Sequence, residues 1–194
     1  MSGVDLEVVG GSKEGRTSGA IIAITAALIK KLIAVDFPAA LFLTPTKEAA
    51  YAAFEFAQAL CAGTGPKVQS LIGGRNDPRA SDNSDKYDLL VATPGKVLGA
   101  VEKCLLNPKA ISYLILDDAH DLLGQTGICG HTQNVWSIVK SDALVRVVIS
   151  NIKLACAMEY MSSQHLKEHI IGCNGRFNLQ MVDTRGTGTR YSHL

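Results

Sequence analysis

The chain is poor in charge and in aromatic rings. Charged residues make up 19% of its 194 positions and aromatics 6%, with a single tryptophan. Formal net charge is only +1, which excludes a global basic field. Any contact with nucleic acid must then come from a local patch, with a modest electrostatic contribution. The five cysteines (Cys61, Cys104, Cys129, Cys156, Cys173) are odd in number and lack paired spacing. That pattern argues against a disulfide framework and for a reducing, cytoplasmic setting. No signal-peptide pattern opens the chain. The most apolar segment, Ala20 to Val35, is interrupted by Lys30 and Lys31 and is too short for a membrane span. No internal repeats are evident. What the chain does have is 47% hydrophobic residues, enough for one globular domain with a sizeable core.

Short apolar runs alternate with helical patterns along the whole length. Val4 to Val9, Ala39 to Leu43, Val68 to Ile72, Tyr87 to Ala92, Ile111 to Leu116 and Leu144 to Ile149 read as strands, and His169 to Ile171 as a last one. Helices are predicted from Thr17 to Ala34, apolar all round and hence well buried, and from Lys47 to Cys61. Others follow from Thr93 to Leu106, after Asp118 to Leu123, from Thr132 to Lys140 and from Ala155 to Ser163. Residues 75 to 86 form a polar loop, and from Asn174 onward the chain reads as a linker or tail. Strands alternating with helices predict a parallel α/β sheet.

Two segments carry the chemistry. The first is Gly10-x4-Gly15-Arg16-Thr17, between a predicted strand and a predicted helix. A phosphate loop has the form GxxxxGK[ST] in that context. Its backbone N–H groups and the helix N-terminus cradle phosphate oxygens, its Lys is a point charge, and its hydroxyl meets Mg²⁺. Here Arg16 stands at the Lys position; Arg keeps the charge but its planar fork is not an ammonium. Lys13 and Glu14 add bulk where small residues are usual. The alternative is a Gly-rich turn that no longer binds phosphate. The second segment is Tyr113 to Leu116 followed by Asp117-Asp118-Ala119-His120, a buried strand ending in two acids. Acids at the carboxyl end of such a strand sit where open α/β sheets bind ligands. Asp117 would hold Mg²⁺ and Asp118 would position a water. An acidic strand end without metal is the alternative.

Further polar signatures end other strands: Thr44-Pro45-Thr46-Lys47-Glu48, Gly73-Gly74, Thr93-Pro94-Gly95-Lys96 and Ser150-Asn151-Ile152. Each can present N–H groups, a hydroxyl or a Lys on one edge of the sheet, which suits phosphate-backbone contact. Singly they are ordinary turn chemistry.

Taken in order, these segments resemble the first-domain motifs of DEAD-box RNA helicases, whose forms read AxTGSGKT, PTRELA, GG, TPGR, DEAD and SAT. The resemblance spans about residues 4 to 172 and implies a three-layer RecA-like (P-loop NTPase) α/β domain over residues 1–172, with 173–194 as a tail. It implies ATP contacts from Gly10, Gly15, Arg16, Thr17 and Ser18, Mg²⁺ at Thr17 and Asp117, and catalytic roles for Asp117 and Asp118. It assigns RNA-backbone contacts to Pro45, Thr46, Lys47, Gly73, Gly74, Thr93, Pro94, Gly95 and Lys96. Ser150 would couple hydrolysis to unwinding. Single-stranded or duplex RNA, a second RecA-like domain and protein partners are the implied partners, in the cytoplasm or its ribonucleoprotein granules.

The departures bear on turnover. Lys is replaced by Arg16, the acid pair is Asp-Asp where the family has Asp-Glu, and Ile152 replaces the last motif's Thr. An Asp is one methylene shorter than a Glu, and a shortfall of about 1 Å at a catalytic group costs on the order of 10²-fold. Neither the upstream adenine-reading Gln nor the second domain with its arginine finger is expected within this chain. Helicase-like domains decayed in this way occur in tudor-domain proteins of the piRNA pathway, which is the narrower expectation. Two functions follow: an ATP-dependent RNA-remodelling domain with weak or no hydrolysis, or a catalytically dead scaffold for RNA or protein. His165 and His169, spaced to share a helix face, lack an evident third metal ligand, as do Cys129 and His131. Trp136 reads as packing rather than as a base-stacking platform.

Overall fold

A computed structural model describes residues 6–11, 13–30, 38–72, 87–124, 127–140 and 144–151, together with the backbone of 168–173 and 176–178. Among the described residues, eight strands form one sheet: β1 (Leu6–Val9), β2 (Ala40–Leu43), β3 (Val68–Leu71), β4 (Leu89–Ala92), β5 (Tyr113–Leu116), β6 (Val145–Ser150), β7 (Glu168–Cys173) and β8 (Arg176–Asn178). Their spatial order is β3-β4-β2-β5-β6-β1-β7-β8. Every neighbouring pair is parallel except β7 with β8. The helices are α1 (Arg16–Ile29), α2 (Lys47–Cys61), α3 (Pro94–Glu102), α4 (Ala119–Gly124) and α5 (Ile128–Ile138).

The period-two geometry of a strand divides the core into two layers. Phe42, Leu89, Val91, Ile115 and Ile149 face one way, against Ile21, Ile24 and Leu28 of α1 and Ala50, Ala53, Phe54 and Ala57 of α2. Leu41, Leu43, Leu90, Leu114, Leu116 and Val148 face the other, against Val97 of α3, Leu122 of α4 and Val135 and Trp136 of α5. Strands β2 and β4 are buried on both faces, as unbroken apolar runs in a parallel sheet should be. Trp136 is packing, as expected: it is 5% exposed, and the Arg146 guanidinium lies 4.9 Å from its ring centre.

Several details differ from the sequence reading. Helix α1 is not buried all round. Ile21, Ile24, Thr25 and Leu28 form one covered stripe, while Ile22 and Ile29 are exposed. A helix lying on one face of a sheet can cover only one stripe, whatever its composition. Helix α3 stops at Glu102, because Cys104 turns into the left-handed region at φ 57°. Helix α5 starts one turn early, at Ile128, behind Gly127 at φ 101°. The segment read as a tail supplies the end of β7 and all of β8. His169 lies in β7, which removes the shared helix face with His165. His165, Gly73, Gly74, Ile152, the loop 75–86 and the helix expected at 155–163 lie outside the described residues.

Parallel register brings the strand ends together. Leu43 is level with Ala92 and Leu116, Leu116 with Val148, and Ser150 with Val9. One edge of the sheet therefore collects every segment singled out by sequence that the structure describes. The face assignment makes two phenylalanines of similar size behave differently. Phe42→Ala, at a fully buried position, should cost about 3–5 kcal/mol in urea unfolding. Phe56→Ala, at 37% exposure, should cost far less, within roughly 1 kcal/mol.

Candidate functional site

The site is built where β1 runs into α1. Gly10 N–H donates to Ser150 O at 3.2 Å, so the loop departs from the sheet pinned to the end of β6. The chain then curls through two left-handed residues, Lys13 at φ 66° and Gly15 at φ 76°. Glycine takes that conformation freely, whereas Lys adopts it at a cost of roughly 1–2 kcal/mol. Gly15 is the N-cap of α1. No side chain caps the helix, and no acid lies in its first turn. Gly19 N–H bonds to Gly15 O at 2.7 Å, which closes the first helical turn.

The tight turn aims Thr17 at the end of β5. Thr17 Oγ1 lies 3.0 Å from Asp117 Oδ1 and 2.9 Å from Oδ2, so its one proton is shared between the carboxylate oxygens. This joins the two segments that the sequence reading paired as a Mg²⁺ site, across 100 positions of chain. Asp117 is 3% exposed, and its own N–H is tied to Leu43 O at 2.9 Å. Burial pushes its carboxyl from 3.8 up to about 6. The Thr17 hydrogen bond pulls it back, the Asp118 charge raises it, and the Asp118 N–H and the Arg16 charge lower it. Asp118 sits at φ 49°, a left-handed conformation that Asp tolerates better than most residues. Its carbonyl accepts from Asp121 N at 2.9 Å and Leu122 N at 3.2 Å, which starts α4. Its backbone thus serves the turn.

Arg16 is half-buried, and its Nη1 is enclosed without a hydrogen-bond partner. An orphaned buried guanidinium nitrogen beside an uncapped helix N-terminus fits a phosphate oxygen. Thr17 and Asp117 are oxygen donors, which fits Mg²⁺. One contact does not fit: Gly11 N–H already donates to Glu14 Oε2 at 2.7 Å. The sequence reading took Glu14 only as bulk. The signal for more was there, an acid three residues after a glycine amide inside a glycine-rich turn of phosphate-loop form. Ser18 is exposed on α1 and is not drawn into this group by any described contact.

Farther along the edge, the ends of β2 and β4 run side by side, with Thr44 N–H bonded to Ala92 O at 3.1 Å. Thr46 is the N-cap of α2, and its Oγ1 accepts from Ala49 N at 3.1 Å. Buried Thr44, part of the polar signature but given no role of its own by sequence, donates its hydroxyl to Thr46 O at 3.1 Å and holds that turn. Lys47 is exposed beyond it, and Pro45 is half-buried. Thr93 caps α3 through its backbone alone, Pro94 is the first helical residue, and Gly95 and Lys96 are exposed. The structure thus brings Thr46, Lys47, Thr93 and Lys96 to one strip. Among the described residues, no group of three or more His, Cys, Asp or Glu side chains is placed to hold a metal by itself, and no helix is long and apolar enough to cross a membrane.

Burial of Asp117 has a thermodynamic consequence. A carboxyl raised in the folded state favours folding when protonated, so its contribution is complete below about pH 4 and is lost as pH rises through about 6. That rise corresponds to at most about 3 kcal/mol. Asp117→Asn keeps an acceptor for Thr17 and has no charge to bury. Urea unfolding should show it more stable than wild type at pH 7 by up to about 3 kcal/mol, with no advantage at pH 4.

Comparison with known proteins accounts for this arrangement. Residues 1–151 match the family model of the DEAD/DEAH box helicases. ATP-dependent RNA helicase DbpA of Bacillus subtilis is 30% identical over 69% of this chain and 28% of its own length. Pre-mRNA-processing ATP-dependent RNA helicase PRP5 of Kluyveromyces lactis is 29% identical over 88% of this chain and 21% of its own. The chain therefore spans less than a third of the length of either relative. Among solved structures, the yeast DEAD-box splicing factor Prp28 superposes with a TM-score of 0.73 at 22% identity, over 87% of this chain and 41% of that one. S. cerevisiae Dbp5 bound to Gle1 and IP6 gives 0.73 at 18% identity, over 88% and 42%. The likeness establishes a RecA-like α/β fold. With its motifs in order along one edge of that fold, this chain belongs to the DEAD/DEAH box helicase family.

Proposed function

We propose that this domain binds RNA backbone and holds Mg²⁺-ATP weakly, with negligible hydrolysis by itself. The observation that carries the reading is the Thr17–Asp117 contact. A hydroxyl and a carboxylate from distant segments are already within ligand distance of a common point. When bound, Mg²⁺ would neutralise phosphate charge there. Thr17 and Asp117 would hold it, while Arg16 Nη1 and the amides at Gly15 would take phosphate oxygens. Ser150, whose carbonyl anchors Gly10, would transmit changes in the loop to the end of β6.

Turnover is the weak point. Asp118 has a short side chain on a backbone committed to the α4 turn. Arg16 offers a fork where the family has an ammonium. The relatives' names describe ATP-dependent RNA helicases, and the RNA strip of Thr46, Lys47, Thr93 and Lys96 supports carrying RNA contact over to this chain. Free thiols at Cys61, Cys104 and Cys129 are in keeping with a cytoplasmic setting. The second reading, a scaffold that has lost ATP altogether, is favoured by one observation, the Glu14 carboxylate on the Gly11 amide.

Calorimetric titration with Mg²⁺-ATP separates the two. Measurable binding to wild type, strengthened by Arg16→Lys, is expected. Binding seen only in Arg16→Lys would favour the scaffold. RNA-stimulated hydrolysis at ordinary helicase rates, abolished by Asp117→Asn, would overturn the claim of negligible turnover. For RNA, Lys47→Ala and Lys96→Ala should weaken single-strand binding alike across sequences. Each should lower the slope of log affinity against log salt by about 0.7.

A further inference from the structure

The loop between β1 and α1 already contains an anion. Glu14 Oε2 accepts the Gly11 N–H at 2.7 Å. The fit is close: a Cβ built on Gly11 would lie 2.6 Å from Glu14 Oε1, and one on Gly10 would lie 3.0 Å from Oε2. The carboxylate thus rests directly on the main chain of the glycine pair. Left-handed Lys13 and Gly15 on either side curl the chain back toward those glycines. Arg16 shares the space, with its Cδ 3.2 Å from the same Gly10 position, but its Nη1 stays without a hydrogen-bond partner. The carboxylate therefore takes an amide of the turn and leaves the guanidinium nitrogen unmatched.

We propose that Glu14 is an internal occupant of the phosphate loop. A phosphate-bearing ligand must displace its carboxylate from the Gly11 amide, so Glu14 sets the affinity of the loop. The inference rests on the reading of this loop as a phosphate site. Two effects act together. The ligand must break a hydrogen bond that the free protein already makes. The displaced carboxylate stays tethered beside the incoming phosphate, where like charges repel. Arg16 gains on displacement, because a phosphate oxygen can reach the orphaned nitrogen that Glu14 leaves unmatched.

The test uses the whole chain with Mg²⁺-ADP and Mg²⁺-pyrophosphate as ligands. Wild type, Glu14→Ser, Glu14→Gln and the distant exposed control Glu102→Gln are titrated by calorimetry. Glu14→Ser should bind both ligands roughly tenfold more tightly than wild type. Glu14→Gln, which loses the charge but keeps an oxygen, should fall between them, and Glu102→Gln should match wild type. In parallel, amide hydrogen exchange at Gly11 is measured without ligand, where Glu14→Ser should exchange faster than wild type. Equal affinities for wild type and Glu14→Ser would overturn the inference, as would unchanged Gly11 exchange. If no variant binds either ligand, the phosphate-site reading falls. Gly11 exchange then decides by itself whether the carboxylate holds the amide.

Discussion

Asp117 is an ionisable group carried to the end of a buried strand, and the carboxyl edge of the sheet is arranged around it. A carboxylate 3% exposed must find donors or become neutral. It finds Thr17, which reaches it only because α1 begins at the right height and angle. That start depends on the left-handed turn at Gly15 and on the Gly10–Ser150 tie to β6. The residue after Asp117 turns left-handed and starts α4. Asp117 therefore links the phosphate-loop-like turn, the central strand and the helix layer on the opposite face.

The departures from the DEAD-box motifs fall on the same few residues and pull against one another. Lys13 stands where the family form has a glycine, and it accepts a left-handed backbone that glycine would adopt without strain. Glu14 stands where the form has a small hydroxyl, and it fills the turn with its own carboxylate. Arg16 keeps the positive charge but leaves one buried nitrogen unpaired. Asp118 keeps an acid with a shorter reach. Thr17 and Asp117 keep the family's residues and are in contact. The pattern is that of an edge where the Thr17–Asp117 pair keeps the family's residues while the glycine-rich turn departs from them.

Much of the fold was legible in the sequence. The strands at Ala40–Leu43 and Leu89–Ala92 were plain because burial on both faces demands unbroken apolar runs, and α2 was plain from Lys47 to Cys61 because its helical period is clear. The misjudgements have physical sources. Helix α1 is apolar beyond what its seat on the sheet can cover, so composition overstated its burial. The end of α3 depends on a non-glycine left-handed residue, Cys104, which no turn signature announces. Strand β8 is three residues long and exists through its antiparallel pairing with β7.

From the sequence alone came the identity and order of the segments: a glycine-rich turn before a helix, two acids after a strand, and hydroxyls and lysines after the others. These were readable because turn chemistry and hydrophobic period are local properties of the chain. Tertiary structure alone decided which of those groups meet. The meeting of Thr17 with Asp117 is set by strand order and register, and the folding of Glu14 onto Gly11 by backbone angles at Lys13 and Gly15. Neither strand order nor a left-handed lysine is written in the local pattern of residues.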